Sequence, residues 1–390
     1  MPVINRVADL SDEIIAWRRD LHAHPELLYD VPRTAALVAE RLREFGCDCV
    51  VTGIGRTGVV GVIHGTTRKS GRIVGLRADM DALPIQEAPT DRPHRSKTDG
   101  RMHACGHDGH TAMLLGAARY LTETRHFDGT VVVIFQPAEE GGAGGLAMVE
   151  DGLMDRFGIQ QVYAMHNMPG IPENHFALRP GPMMAAGDKF EITLEGRGGH
   201  AAKPHETIDP IVIGAQIVQA LQTIAARNID PLESCVVSVT QFHAGQSHNI
   251  IPPSAYLMGT VRTLNPETRV FAEERFREIV QGLANAHRAT AHITYTRGYP
   301  VTINDDVAAE FAAQVARELV GAEQVDAVAP PSMGGEDFSY MLRVRPGAMI
   351  FLGNGDTAGL HHPAYDFNDA IIPTGVSFWA RLVETAMPSP

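Results

Sequence analysis

The sequence predicts an α/β layer fold into which a second, α+β domain is inserted. Buried-strand patterns alternate with amphipathic helices along the first half of the chain, the order that parallel pairing with helical crossovers produces. Near Ala186-Gly187 the pattern changes to β-α-β-β-α-β, the order of a ferredoxin-like module, and it reverts near Val301. The 390 residues also exceed the ~250–300 at which a single hydrophobic core stops growing. The expected division is residues 1–186 with 301–390 as one domain and 187–300 as the insert.

Residues 10–22 place Leu10, Ile14, Ile15, Trp17 and Leu21 at helical spacing, with Pro25 beyond the end. Pro32 opens a second helix, which stops near Gly46. Strands are expected at 49–52, 59–63 and 72–77, the last leading into Ala78-Asp79-Met80-Asp81. A helix over 111–121 precedes the apolar run 130–135, which delivers Gln136-Pro137-Ala138-Glu139-Glu140, and the strand 162–165 ends at His166-Asn167. Three successive strands thus end on acidic or metal-compatible residues, where α/β folds place their sites.

In the insert, residues 189–195 alternate apolar and polar, as a half-exposed strand does. Helices over 208–226 and about 267–287, with strands at 235–242, 255–263 and 291–296, complete that module. A helix over 307–319, a strand at 348–352 and a closing helix over 371–387 restore the α/β pattern.

A net charge of −13 argues against nucleic acid, whose phosphates require clustered Lys and Arg. Four cysteines in so long a chain make no disulfide framework, which favours a reducing, cytoplasmic setting. The first residues hold no signal-peptide apolar core, and no apolar run approaches the ~18–20 residues of a membrane span.

The chemistry gathers around Met102-His103-Ala104-Cys105-Gly106-His107-Asp108-Gly109-His110. Cys105 and His107 are alternate residues and can reach one centre from an irregular loop; Glu140, His166 and His361 are the other candidate ligands. Five N, O and S donors are too many for one tetrahedral catalytic zinc with an open position, but they suit two divalent ions. Adjacent side chains of an extended segment point to opposite sides, so Glu140 can bind metal while Glu139 stays free as acid and base.

Arg77-Ala-Asp-Met-Asp-Ala-Leu83, His103-Ala-Cys-Gly-His-Asp-Gly-His110, Gln136-Pro-Ala-Glu-Glu-Gly-Gly142 and Gly198-Gly-His-Ala-Ala-Lys-Pro-His205 occur in that order. Asn249-Ile-Ile-Pro252, Gly334-Gly-Glu-Asp-Phe338 and Leu360-His361 follow them. Over essentially its whole length the chain resembles the hippurate hydrolase and N-acyl-amino-acid amidohydrolase subfamily of the aminoacylase–carboxypeptidase dinuclear metallopeptidases, which includes the plant indoleacetyl-amino-acid hydrolases. The resemblance implies a zinc-peptidase-like α/β catalytic domain with a ferredoxin-like dimerisation domain. It implies cleavage of small N-acyl amino acids, with dipeptidase or carboxypeptidase action as the alternative. It also implies a homodimer or a higher homo-oligomer.

The resemblance further implies metal ligation by Cys105, His107, Glu140, His166 and His361, with Glu139 as acid and base. His200 would help bind the reacting carbonyl oxygen, and Asn249 and Arg262 would face the substrate, Arg262 being able to hold a free carboxylate bidentately. Broader relatives carry His-x-Asp where Asp79-Met-Asp81 stands here, and Cys105 is the subfamily's distinctive ligand. Whether Cys105 bridges the ions, and whether they are Zn, Mn, Co or Ni, stays open at this level.

Asp79 and Asp81 are expected to orient a ligand, with turn capping as the plainer reading; His103 and His110 are expected to support the centre or to pack, and Glu336-Asp337 to support it or to form a solvated turn. His361 is preferred to His362 on the Leu-His-x-Pro pattern. Cys47, Cys49 and Cys235 read as small packing residues, and His22 and His24 as complements to a helix dipole.

Overall fold

The structure, a computed structural model, describes residues 3–390. The chain divides into two compact units, one formed by the residues up to Met183 with Ile303–Pro330 and Asp337–Pro390, the other by Met184–Thr302 with Pro331–Glu336. In the first, α1 (Asn5–Ala23) starts a turn earlier than expected, because buried Val7 extends its apolar stripe, and α2 (Pro32–Glu44) carries its proline in the first turn. Strands β1 (Cys49–Ile54), β2 (Gly58–His64), β3 (Ile73–Asp79), β4 (Thr130–Gln136), β5 (Gln161–Pro169) and β6 (Phe176–Ala177) follow, with α3 (His107–Thr124) between β3 and β4. Cys49 is exposed on the edge strand β1 rather than packed, because only one side of that strand meets a neighbour.

In the second unit, β7 (Ala186–Glu195), α4 (Pro210–Thr223), β8 (Cys235–Ala244), β9 (Ser254–Thr263), α5 (Pro266–Ala286) and β10 (Thr290–Arg297) make the expected β-α-β-β-α-β unit. Its antiparallel sheet has the ferredoxin-like order β8-β9-β7-β10. Alternate residues Phe190, Ile192 and Leu194 of β7 turn into a core with Ile213, Ile217, Leu257 and Phe276. Asp209 and Asn265 accept the first free amides of α4 and α5. The predicted helix over 208–226 ends instead in a π-turn at Ile224–Asn228.

The chain then returns to the first unit with α6 (Asp306–Val320), β11 (Val325–Asp326), β12 (Gly347–Gly355) and α7 (Ile372–Ala386). The completed eight-stranded sheet runs β1-β2-β4-β3-β5-β12-β6-β11. Its centre, β4-β3-β5-β12, is parallel, whereas β1, β2 and β4 pair antiparallel. Parallel register sets Asp79 opposite Gln136 and His166 opposite Phe351, so the site residues leave the sheet at one edge. Pairing with β12 carries β5 past its predicted end to Pro169, which places His166 within the strand. Helix α3 is buried on nearly every side, packed on β3, α1 and α7. Among the described residues no helix is long and apolar enough to cross a membrane.

Candidate metal centre

Two glycines let the loop after β3 enter α3 so closely. Gly106 caps the helix at φ +94°, where a Cβ would lie 2.1 Å from Asn167 Oδ1; at Gly109 a Cβ would lie 2.2 Å from the Phe367 ring. The first turn of α3 therefore sits against β5 and the C-terminal segment, with Cys105 and His107 between them.

Two groups of donor atoms share Cys105: Cys105, His107 and His166 form one, and Cys105, Glu140 and His361 the other, the atoms of each lying within 4.8 Å of one another. Cys105 Sγ lies 3.4 Å from His166 Nε2. Glu140 Oε1 is 3.4 Å from His361 Nε2 and 3.9 Å from His107 Nε2. His361, not His362, faces Glu140; the His362 ring instead accepts the Ala364 amide in a local turn.

Charge and protonation point to a cation here. Burial would lower the His107 pKa, but Asp79, Asp81 and Glu140 push it up to about 10, so these carboxylates call for positive charge at that point. Burial and then the neighbouring His110 hold His166 well below its ordinary value. Its Nδ1 donates to the Asn167 carbonyl at 2.6 Å, which leaves the Nε2 lone pair facing Cys105. Both ring nitrogens of His107 and Glu140 Oε1 are buried without a hydrogen-bond partner among the described residues. Unpartnered buried donors of mixed N, O and S type in acidic surroundings fit divalent ions, and Cys105 in both groups fits two of them.

Asp79 and Asp81 do different work. Asp79 Oδ1 accepts from His110 Nδ1 at 2.6 Å while Oδ2 lies 3.7 Å from His107 Nε2 and accepts from Arg77 at 2.8 Å. Asp81 accepts the backbone amides of Glu139 at 2.9 Å and Glu140 at 3.1 Å, and its Oδ1 is 3.5 Å from His107 Nδ1. The Glu139 carboxylate is buried, and its Oε1 takes the Asp337 amide at 3.4 Å. His103 is also buried, but its ring nitrogens find no hydrogen-bond partner among the described residues and it joins neither donor group.

His200, Asn249, Arg262 and Glu336 belong to the second unit. His200 is exposed on a two-residue strand paired with Ile250, and the Ala202 amide donates to its Nδ1 at 3.1 Å, which leaves the ring proton on Nε2. Asn249 takes the Ser247 hydroxyl at 2.8 Å. The Arg262 guanidinium lies over Gly187, where an added Cβ would come within 2.7 Å of Nη1. Glu336 is buried, and its carbonyl lies 3.4 Å from Thr302 Oγ1.

Sequence reasoning passed over Asn167, took His22 for a dipole complement, and read Glu336-Asp337 as support or a solvated turn without naming partners. Asn167 joins His110 Nε2 to the Tyr365 hydroxyl. Asp337 gathers Arg77 at 2.9 Å, Gln136 at 2.7 Å and the Gly145 amide at 2.7 Å. His22 does not serve a helix dipole at the surface: it is fully buried and its Nδ1 lies 2.8 Å from Asp108 Oδ2. The available signal was spacing, since Arg18 and His22 follow Ile14 at four-residue steps on one helix face.

Comparison with known proteins finds relatives along nearly the whole chain. The family described as peptidase family M20/M25/M40 matches residues 75–385. A hippurate hydrolase of Campylobacter jejuni is 43% identical over 382 residues, 98% of each chain. Thermostable carboxypeptidase 1 of Saccharolobus solfataricus is 42% identical over 354 residues, 90% of this chain and 88% of its own. A Bacillus subtilis crystal structure described as a dinuclear metal binding peptidase superposes with a TM-score of 0.84 at 35% identity, covering 98% of this chain and all of that one.

Proposed function

The chain belongs to peptidase family M20/M25/M40, and from that premise we propose that it hydrolyses N-acyl amino acids to a carboxylic acid and a free amino acid. It is a hydrolase of linear amides whose donor set fits two divalent ions. The observation that carries the reading is the Glu139-Glu140 pair leaving one strand end. Both amides are held by Asp81, and Glu140 is turned to His107 and His361.

We assign the ion-holding role to Cys105, His107, Glu140, His166 and His361. When bound, the ions would lower the pKa of a water and polarise the substrate carbonyl. Glu139 takes a proton from the attacking water as its oxygen bonds to the carbonyl carbon, and delivers it to the amide nitrogen as the C–N bond breaks. His200, with its proton on Nε2, donates to the oxyanion; Arg262 holds the free carboxylate and Asn249 a polar group of the substrate. Asp79, Asp81, His103, His110 and Glu336 support these groups. The proposal extends to Zn, Mn, Co or Ni as the ions, to a homodimer through the inserted unit and to the cytoplasm.

Turnover of hippurate and acetyl-amino acids by Glu139→Gln tests the mechanism. A loss of roughly 10²–10⁴-fold in kcat with both ions retained is expected; wild-type turnover would remove Glu139 from its role. The 42% identity to a carboxypeptidase favours a second reading, peptide cleavage. A panel of acyl-amino acids against dipeptides across reconstituted metals separates the two, since only dipeptides bring a free α-amine.

A further inference from the structure

Arg18 is fully buried in α1, and its guanidinium keeps its charge there. Nε lies 3.1 Å from Asp108 Oδ2 and 3.5 Å from Asp369 Oδ1. Nη2 donates to Asp366 Oδ1 at 2.5 Å and to the Phe367 carbonyl at 3.0 Å. The Phe367 ring centroid lies 5.7 Å from Cζ. One cation therefore gathers partners from two places. Asp108 follows His107 in the first turn of α3, and Asp366 to Asp369 belong to the segment that leaves His361.

A buried ion cluster is a poor source of stability, because desolvation consumes most of the Coulombic gain and apolar replacements are often as stable. What a rigid, forked cation does supply is fixed geometry between the groups it joins. Here it joins the segment holding Cys105 and His107 to the segment holding His361. We infer that Arg18 is a positioning residue for the metal centre: through Asp108 and Asp366 it sets the separation between those donors. The inference rests on the assignment of Cys105, His107 and His361 as ligands.

Cobalt(II) titration of the chelator-stripped, full-length protein tests it, with the visible spectrum reporting ligand geometry and a thermal melt of the metal-free protein reporting folding. Arg18→Met is expected to melt cooperatively yet bind one cobalt ion about 10–100-fold more weakly with an altered spectrum, the usual effect of losing a group that orients ligands. Its kcat on hippurate should fall with little change in KM, and Arg18→Lys should recover part of the cobalt affinity. Leu10→Ala, a core truncation of the same helix, should lower the melt without moving the cobalt isotherm. A folded Arg18→Met with the wild-type isotherm and spectrum overturns the inference. If Arg18→Met does not fold, Asp366→Asn decides by the same criteria. His361→Ala keeps the two readings apart. If it binds both ions as wild type does, the ligand assignment falls; if it loses one while Arg18→Met loses none, the assignment stands and the positioning role falls.

Discussion

The backbone amide of His361 donates to the Ala104 carbonyl across 2.7 Å, so the segment carrying one proposed ligand is stitched beside Cys105, which carries another. His361 makes that contact at φ +63°, in a left-handed conformation that costs a non-glycine residue about 1–2 kcal/mol. Backbone and side chain therefore contribute separately, and a substitution can part them. Asn tolerates the left-handed region better than most residues. His361→Asn should melt like wild type when metal-free but retain one ion fewer by elemental analysis. Full metal content in that variant would remove His361 from the ligand set.

Asp81 places Glu139 and Glu140 relative to each other. Its two oxygens take the amides of Glu139 and Glu140, so the peptide between them cannot rotate without breaking a buried hydrogen bond. Asp81→Asn turns one acceptor into a donor facing an N–H. Expected are a stability loss of about 1–3 kcal/mol and a fall in kcat/KM of roughly 10–100-fold. Denaturant melts and hippurate kinetics on the same preparation check both, and unchanged kinetics would reduce Asp81 to a turn residue.

How much of this was legible beforehand depended on range. Strand and helix order followed from periodicity, because apolar alternation and the prolines at 25 and 32 are local signals. Donor residues were legible because they stand in short local patterns: Cys105 and His107 as alternate residues, Glu139 beside Glu140, His166 after an apolar run and His361 in Leu-His-x-Pro. The residues that hold those donors were harder to see, since their contacts are distant in sequence. Arg18 meets Asp366, and Asn167 meets Tyr365, only after the sheet has closed. Asp337 illustrates the limit: its motif was visible, but only folding shows that Asp337 binds Arg77 and Gln136 while neighbouring Glu336 belongs to the other unit.

Acid should loosen the Arg18 cluster at its outer edge first. Burial opposes charge on Asp366, but the hydrogen bond from His94 and the charge of Arg18 outweigh it and bring the carboxyl down to about 2. An unfolded aspartate titrates near ~3.9. The folded value being the lower, the stabilisation is fully present above that range and fades as pH falls towards 2. Discounted for partial exposure, it amounts to about 1–2 kcal/mol. Urea melts of metal-free wild type and Asp366→Asn should differ by that amount at pH 7 and converge only as the pH falls through about 2. A gap that stays constant with pH would show that Asp366 contributes through packing alone.

Asp337 controls the environment of Glu139 from behind. Its carboxylate accepts from Arg77, Gln136 and the Gly145 amide, which fixes the residue, and its own amide then points at Glu139 Oε1 from 3.4 Å. A general acid and base gains from being held where the proton must travel, so this amide matters to rate more than to substrate affinity. Asp337→Asn keeps the backbone donor and one acceptor but weakens the grip of Arg77, a buried cation that Asp79 also pairs. The expected result is a kcat loss near 10-fold with KM unchanged, because the geometry around Glu139 relaxes without altering substrate contacts. Metal content should stay at the wild-type value, since Asp337 acts on Arg77, Gln136, Gly145 and Glu139. Loss of an ion in Asp337→Asn, or a change confined to KM, would place the residue in ligand support or substrate binding instead.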